Sequence, residues 1–276
     1  MILVTGSTGN VGKELVRKLQ EAKAKFRVGA RTPKKAPGVQ AVLFDLDRPD
    51  TFGPALAGVE KLFLLSSGGT EREGPVVDAA KKAGVRHVVK LSVWGAEGEK
   101  FQFGREHRPI EKTIEASGIP WTFLRPNSFM QNYVAYHAGT IKEQGAFYLP
   151  DRDGRASVID TRDIAAVAVR ALTETGHEGK AYSLSGPEAL SNTEIAEKIS
   201  RAIGKTVRYV DIPEEDYRKG GLAAGMPPGY VEALVDLQRF FIAGGLAAVT
   251  PTVEQVLGRK PISFDQFARD HAQAWR

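Results

Sequence analysis

The segment Val4-Thr5-Gly6-Ser7-Thr8-Gly9-Asn10-Val11-Gly12 constrains this chain more than any other. Met1 to Val4 is an apolar run of strand length. From Val11 the period changes, with Val11, Leu15 and Leu19 on one helical face and Lys13, Glu14, Arg17 and Lys18 elsewhere. A strand feeding a helix through three spaced glycines is the opening of a βαβ unit that receives a dinucleotide. Gly6 can turn with positive φ, Gly9 lets the main chain approach phosphate oxygens, and Gly12 lets the helix pack closely on the sheet. The unpaired N–H groups and partial positive charge of the helix start then attract the pyrophosphate, placing Thr8, Asn10 and Val11 in the same site.

Strand and helix patterns alternate after this opening. Phe26–Ala30, Val39–Phe44, Lys61–Leu65, Val85–Leu91 and Trp121–Leu124 read as strands, with helices near 50–57, 72–83 and 104–117. With the first strand they predict a doubly wound, six-stranded parallel α/β sheet of Rossmann type, covered by helices on both faces. Runs such as Leu62-Phe63-Leu64-Leu65 suit strands buried on both sides. After about residue 127 the alternation breaks. The expected division is a dinucleotide-binding domain over 1–127, with 157–172 returning to it, and a smaller C-terminal substrate lobe over 128–276. In that lobe Tyr182–Leu184 and Val207–Val210 read as short strands. Asp163–Leu172 and Asn192–Ile203 read as helices, as does Pro213–Phe241 with a Gly-Met-Pro-Pro-Gly interruption. Asn192, following Ser191, reads as a cap with Glu194 in the first turn.

Charge is concentrated where the coenzyme would lie. Residues 1–40 hold nine Lys or Arg against two Glu, and the rest of the chain holds 29 basic and 31 acidic residues, so the excess behind the net +5 is local. No stripe of interleaved aromatic and basic residues and no helix-turn-helix or zinc pattern is present, which argues against nucleic acid. The alternative for Lys13, Arg17, Lys18 and Lys23 is a solvated helix face. Arg31 differs, because it follows the second strand, where NAD enzymes place an acid for the ribose hydroxyls and NADP enzymes an arginine for the 2′-phosphate. No acid stands between Glu21 and Asp45. Arg31, backed by Lys34 or Lys35, points to NADP(H) as the preferred coenzyme, with NAD(H) left open.

Loops at the carboxyl ends of the strands should complete the site: Asp45 and Leu46 near the adenine, then Ser66, Ser67 and Gly68, then Ser92, then Pro126. The five histidines lack metal-ligand spacing and the chain has no cysteine, so no metal is expected. No apolar run approaches the roughly 20 residues that span a bilayer, and Met1 opens directly into a strand. A cytoplasmic location without membrane partners is the expectation.

The glycine start, Asp45-Leu46, Leu91-Ser92, Ile114-Glu115-Ala116-Ser117-Gly118-Ile119-Pro120, Leu124-Arg125-Pro126-Asn127, His177-Glu178-Gly179-Lys180-Ala181-Tyr182 and Val256-Leu257-Gly258-Arg259-Lys260-Pro261 together resemble the NmrA-like, atypical branch of the short-chain dehydrogenases. Within it the chain is most similar to the NAD(P)H:quinone oxidoreductase type 2 and triphenylmethane reductase group. Most short-chain dehydrogenases use a Tyr and a Lys four residues apart, and this sequence contains no such pair. By resemblance the corresponding helix positions are Phe103 and His107, with Ser92 on the adjoining strand. His107 and Ser92 are therefore the candidate catalytic and nicotinamide-side residues. His107 would hydrogen-bond the nicotinamide ribose or supply a proton near neutral pH, and its alternative is a partly exposed helix residue without a chemical role.

Loss of the tyrosine favours a flat, electron-poor acceptor such as a quinone, in which a received electron pair is delocalised and orientation carries the catalysis. Trp94, Phe101 and Phe103, with Phe129, Met130 and Tyr133, would form aromatic walls, and Arg125 and Asn127 supply polarity. Taken singly, each aromatic reads first as core packing, and only their convergence at one edge points to a pocket. The resemblance also implies a second function, a non-catalytic NADP(H) sensor acting through a protein partner. Phe240-Phe241-Ile242 leaves room for a homo-oligomeric contact.

Overall fold

The computed structural model describes residues 1–33, 38–66 and 70–276. Lys34, Lys35, Ser67 and Gly68 lie outside them. In chain order the elements are β1 (Ile2–Val4), α1 (Asn10–Glu21), β2 (Phe26–Ala30), β3 (Gln40–Leu43), α2 (Phe52–Leu56), β4 (Lys61–Leu64), α3 (Gly74–Lys82), β5 (His87–Leu91), α4 (Gln102–Ser117) and β6 (Trp121–Pro126). There follow α5 (Asn132–Ala135), α6 (Ala138–Gln144), β7 (Ala146–Leu149), β8 (Arg155–Ala156), α7 (Thr161–Thr173), β9 (Lys180–Leu184), β10 (Leu190–Ser191), α8 (Asn192–Ile203) and β11 (Arg208–Asp211). The chain closes with α9 (Glu214–Ala223), α10 (Pro228–Ile242), α11 (Thr252–Leu257) and α12 (Phe264–Asp270).

The chain divides into two compact units. The first comprises Met1–Glu97, Arg105–Pro126 and Thr161–Ser183; the second comprises Gly98–Gly104, Asn127–Asp160 and Leu184–Arg276. Compared with the expected division, the first turn of α4 falls in the second unit, and the returning segment starts later, at Thr161, and runs further. The reason is packing: α7 buries Ile164, Ala165, Val167, Ala168, Ala171 and Leu172 and lies along α1.

The first unit is built on a sheet ordered β3-β2-β1-β4-β5-β6-β9. Pairings from β3 through β6 are all parallel, with Leu3 opposite both Arg27 and Leu62, and Val89 opposite both Phe63 and Thr122. Connections leave β1 first toward β2 and β3, then cross back to β4, so the switch point falls between β1 and β4, where open α/β sheets receive ligands. Leu3, Leu62, Leu64, Val88 and Phe123 share one core with Phe52, Val76, Val77, Ile110 and Ile114 from the covering helices.

The sheet has seven strands rather than the six expected, because the Tyr182–Leu184 segment belongs to it and not to the lobe. Strand β9 runs from exposed residues at its start to a single buried one at its end, so no alternation marks it. Main-chain bonding recruits it: Gly179 N–H donates to the Trp121 carbonyl at 2.7 Å and the Thr122 hydroxyl to the His177 carbonyl at 2.7 Å.

In the second unit β7 pairs in parallel with β11, and β8 pairs antiparallel with β10. Helix α8 is capped by Ser191, which exchanges hydrogen bonds with Glu194 in a capping box. Asn192 is therefore not the cap. It is buried, accepts from the Tyr133 hydroxyl at 2.7 Å and donates to Asp151 Oδ2 at 2.7 Å. The other oxygen of Asp151 is buried without a hydrogen-bond partner among the described residues. Burial pushes this carboxyl up to about 7, against the Asn192 hydrogen bond and with help from the Asp211 charge.

Candidate functional site

The glycine loop shows which of its residues the protein itself requires. Gly6 has φ +64°, and a Cβ there would meet Leu65 Cγ at 2.6 Å; a Cβ on Gly12 would stand 2.1 Å from the Gly6 carbonyl oxygen. Both positions are closed to side chains by the fold. Gly9 is different: a Cβ there would meet only that same oxygen, at an ordinary 3.6 Å. Gly9 is exposed, as are Thr8 and Asn10, so its missing side chain leaves the main chain open to an incoming group. No side chain caps α1 and its first turn carries no acid, so its amides and dipole face outward uncompensated. The Val11 side chain is buried in the core, which leaves its main chain for the ligand.

Thr5, absent from the sequence reading, clamps this loop. Its hydroxyl lies 3.1 Å from the Phe63 carbonyl and 2.8 Å from that of Leu65, and it accepts the Leu65 N–H at 2.8 Å. The carboxyl ends of β1 and β4 are thus tied across the switch point.

Arg31 follows β2, is exposed and has no carboxylate partner among the described residues. Asp45 is half-buried and one of its oxygens accepts the Asp47 N–H at 3.1 Å, while Leu46 packs on the core. Ser66, beyond β4, is half-buried.

At β5 and β6 the site is a network of charged and polar side chains. Ser92 N–H donates to the Leu124 carbonyl at 2.7 Å, and Trp94 N–H to the Pro126 carbonyl at 2.9 Å. The β5–β6 pairing thereby continues past the strand ends and sets where the Ser92 side chain starts. The Ser92 hydroxyl donates to Glu111 Oε1 at 2.7 Å. Glu111 is fully buried and also receives Arg125 Nε at 2.9 Å, a second Arg125 nitrogen at 2.7 Å and Arg108 at 3.0 Å. Although burial alone would raise this carboxyl, Arg125, Ser92 and Arg108 together hold it below the usual carboxylate range. Arg125 further pairs with Glu97 at 2.8 Å.

His107 lies one helical turn before Glu111. Burial, and secondarily the charge of Lys90, push its imidazole well below its ordinary range. Its Nδ1 is buried with no partner among the described residues. Both influences, burial and the Lys90 charge, favour the neutral imidazole over the imidazolium that the expectation of a proton near neutral pH requires. Lys90 is itself buried and lies 3.1 Å from the buried carboxylate of Glu73, the residue just before α3.

The aromatic walls are corrected in part. Trp94 belongs to the first unit, whereas Phe103, Asn127, Phe129, Met130 and Tyr133 belong to the second. Met130 and Tyr133 are core residues of that unit, Tyr133 packing edge-on against Phe147 and Phe264. Phe103 and Phe129 are half-buried, and Phe103 meets Phe101 and Tyr230 edge-on at 6.5 and 6.0 Å. The Asn127 amide is fully committed, donating to Ser157 and to the Leu246 carbonyl at 2.8 Å each and accepting the Ser128 N–H at 2.8 Å. Arg125 is likewise held by Glu111 and Glu97. Both are fold-holding groups, because a buried polar atom finds the nearest complementary partner.

Glu111 is the residue that sequence reasoning missed here. Its one signal is a position four residues after His107, one helical turn away, and nothing in the residues beside it marks it as buried.

A parallel sheet with this strand order, opening through a bare glycine turn onto an uncapped helix, defines a dinucleotide-binding Rossmann protein. Within that class the chain belongs to the NmrA-like family, whose model matches residues 1–267. It is 42% identical over 284 residues to the NAD(P)H azoreductase of Xenophilus azovorans, covering 100% of this chain and 99% of the relative. It is 38% identical to the (4-alkanoyl-5-oxo-2,5-dihydrofuran-3-yl)methyl phosphate reductase of Streptomyces griseus, covering 100% and 99%. The NADPH complex of an Escherichia coli NADPH-dependent quinone oxidoreductase superposes with a TM-score of 0.89 at 30% identity, covering 98% of this chain and 99% of that one. Among the described residues no helix is long and apolar enough to cross a membrane, and no group of three or more His, Asp or Glu residues is placed to hold a metal ion.

Proposed function

We propose that this chain is an NAD(P)H-dependent oxidoreductase that prefers NADPH and delivers hydride to a quinone or a similarly electron-poor conjugated acceptor, without a Tyr/Lys pair. The observation that carries the reading is the start of α1, where Gly9 is bare although the fold leaves room for a side chain. When bound, NADPH supplies the hydride. The amides of Thr8 to Gly12 and the helix dipole hold the pyrophosphate, and Arg31 takes the 2′-phosphate. Asp45 accepts from the adenine amino group. Ser66 and Pro126 border the coenzyme, while Ser92 and His107 orient its nicotinamide end. Phe103 and Phe129, half-buried in the second unit, are the residues proposed to meet a flat acceptor.

The reductases similar to this chain are named for an azo compound, a dihydrofuranone phosphate and a quinone. What these share is a conjugated system able to delocalise a received electron pair. That suits a site whose serine proton is already given to Glu111 and whose histidine is disfavoured as an imidazolium by burial, because neither group is set up to give an acidic proton to the product. The product's proton then comes from water.

The test is to titrate NADPH and NADH, then follow loss of reduced-nicotinamide absorbance with quinones, azo dyes and enones. Rapid NADPH oxidation by at least one class is expected. Tight NADPH binding without turnover on any acceptor would replace this reading with that of a coenzyme sensor. Arg31→Asp should weaken NADPH relative to NADH by about ten- to a hundredfold, the worth of a hydrogen-bonded charge pair, and unchanged discrimination would remove Arg31 from the site.

A further inference from the structure

We propose that Glu111 is a positioning residue that turns the Ser92 hydroxyl into an obligatory hydrogen-bond acceptor for the carboxamide N–H of bound nicotinamide. The inference rests on the coenzyme reading above. A serine hydroxyl carries one proton, and at Ser92 that proton lies on the 2.7 Å bond to Glu111. Only its lone pairs remain for anything else. The carboxylate that takes the proton cannot turn away, because Arg125 grips both its oxygens at 2.9 and 2.7 Å and Arg108 holds one of them from within α4.

The geometry is built from elements that do not move independently. Ser92 follows β5, Arg125 stands in β6 between Leu124 and Pro126, and these strand ends are zipped by the Ser92–Leu124 and Trp94–Pro126 main-chain bonds. The backbone that places the hydroxyl is therefore the backbone that places the arginine aligning its acceptor. Burying a carboxylate beside a neutral serine is costly unless its lone pairs are filled, and here four donor contacts fill them. Ser92 lies at the carboxyl edge of the sheet, where the nicotinamide end of the coenzyme is expected, and the carboxamide is the one donor on that ring.

The prediction is tested on the coenzyme side. The 3-acetylpyridine analogue of NADP+ replaces the carboxamide nitrogen by a methyl group and keeps the carbonyl. Calorimetry on the full chain should show NADP+ bound about fivefold more tightly than the analogue, the worth of one net hydrogen bond. Ser92→Ala should abolish that preference. The double variant Glu111→Leu with Arg125→Leu removes both charges together, a replacement that buried pairs tolerate, and leaves Ser92 free to rotate. It should weaken the preference while still binding NADP+, because a hydroxyl without a fixed acceptor for its proton is held in the accepting orientation only part of the time.

Equal binding of both ligands by the unaltered protein overturns the proposal, as does a preference that survives in Ser92→Ala or stays undiminished in the double variant. Should the double variant not fold, the first two measurements still decide whether Ser92 is an acceptor. Absence of NADP+ and NADPH binding by the unaltered protein would instead overturn the coenzyme reading itself.

Discussion

Glu111 in the first unit and Asp151 in the second are both buried carboxyl groups, and they are displaced in opposite directions. Glu111 is held below its ordinary range by two arginines and a serine, whereas Asp151 is pushed up to about 7, with one amide donor on one oxygen and a bare second oxygen. Burial penalises the charge in both. What separates them is the number and charge of the donors that each fold supplies. The first unit has built a fixed anion beneath its ligand edge, and the second has built a carboxyl that exchanges its proton near neutrality.

Breaking the Glu111 arrangement should have the largest effect. Arg125→Met leaves a buried anion without its main partner and should destabilise the protein by about 3 to 5 kcal/mol in urea unfolding, whereas a loss below about 1 kcal/mol would show that water or Arg108 replaces it.

Asp151→Asn sharpens the other side. A carboxyl raised from 3.8 to about 7 contributes stability that is fully present below the unfolded value and is lost as pH rises through the folded one. Wild-type stability should therefore fall relative to Asp151→Asn between pH 4 and 8, by as much as about 4 kcal/mol, and then level off. Parallel stability curves for the two proteins across that window would contradict the raised value.

The smallest change is expected for Arg108→Ala, whose guanidinium is partly exposed and shares itself between Glu111 and Glu115. It should cost about 1 kcal/mol, with Arg125 still holding Glu111, as read from the thermal midpoint.

How much was legible in the sequence follows the range of each interaction. The Gly6, Gly9 and Gly12 spacing, the helix that follows and the alternation through β6 are local patterns, and the structure repeats them within a few residues. Helix α8 was also legible in its bounds. Its cap was misplaced by one residue because Ser191 and Asn192 are both capping types, and only the partner Asp151, 41 positions away, claims Asn192. Strand β7 gave no signal of its own, since its pairing with β11 joins residues about 60 positions apart.

The sequence by itself therefore determined the sheet, the bare glycine turn and the concentration of positive charge behind it, because periodicity, backbone freedom and charge are properties of short segments. Tertiary structure alone decided that Ser92 gives its proton to Glu111, that Arg125 and Asn127 hold the fold, that burial disfavours the charged form of His107 and that β9 joins the sheet. Those outcomes depend on which polar groups are buried together, and burial partners are set by strand register and helix packing rather than by neighbours along the chain.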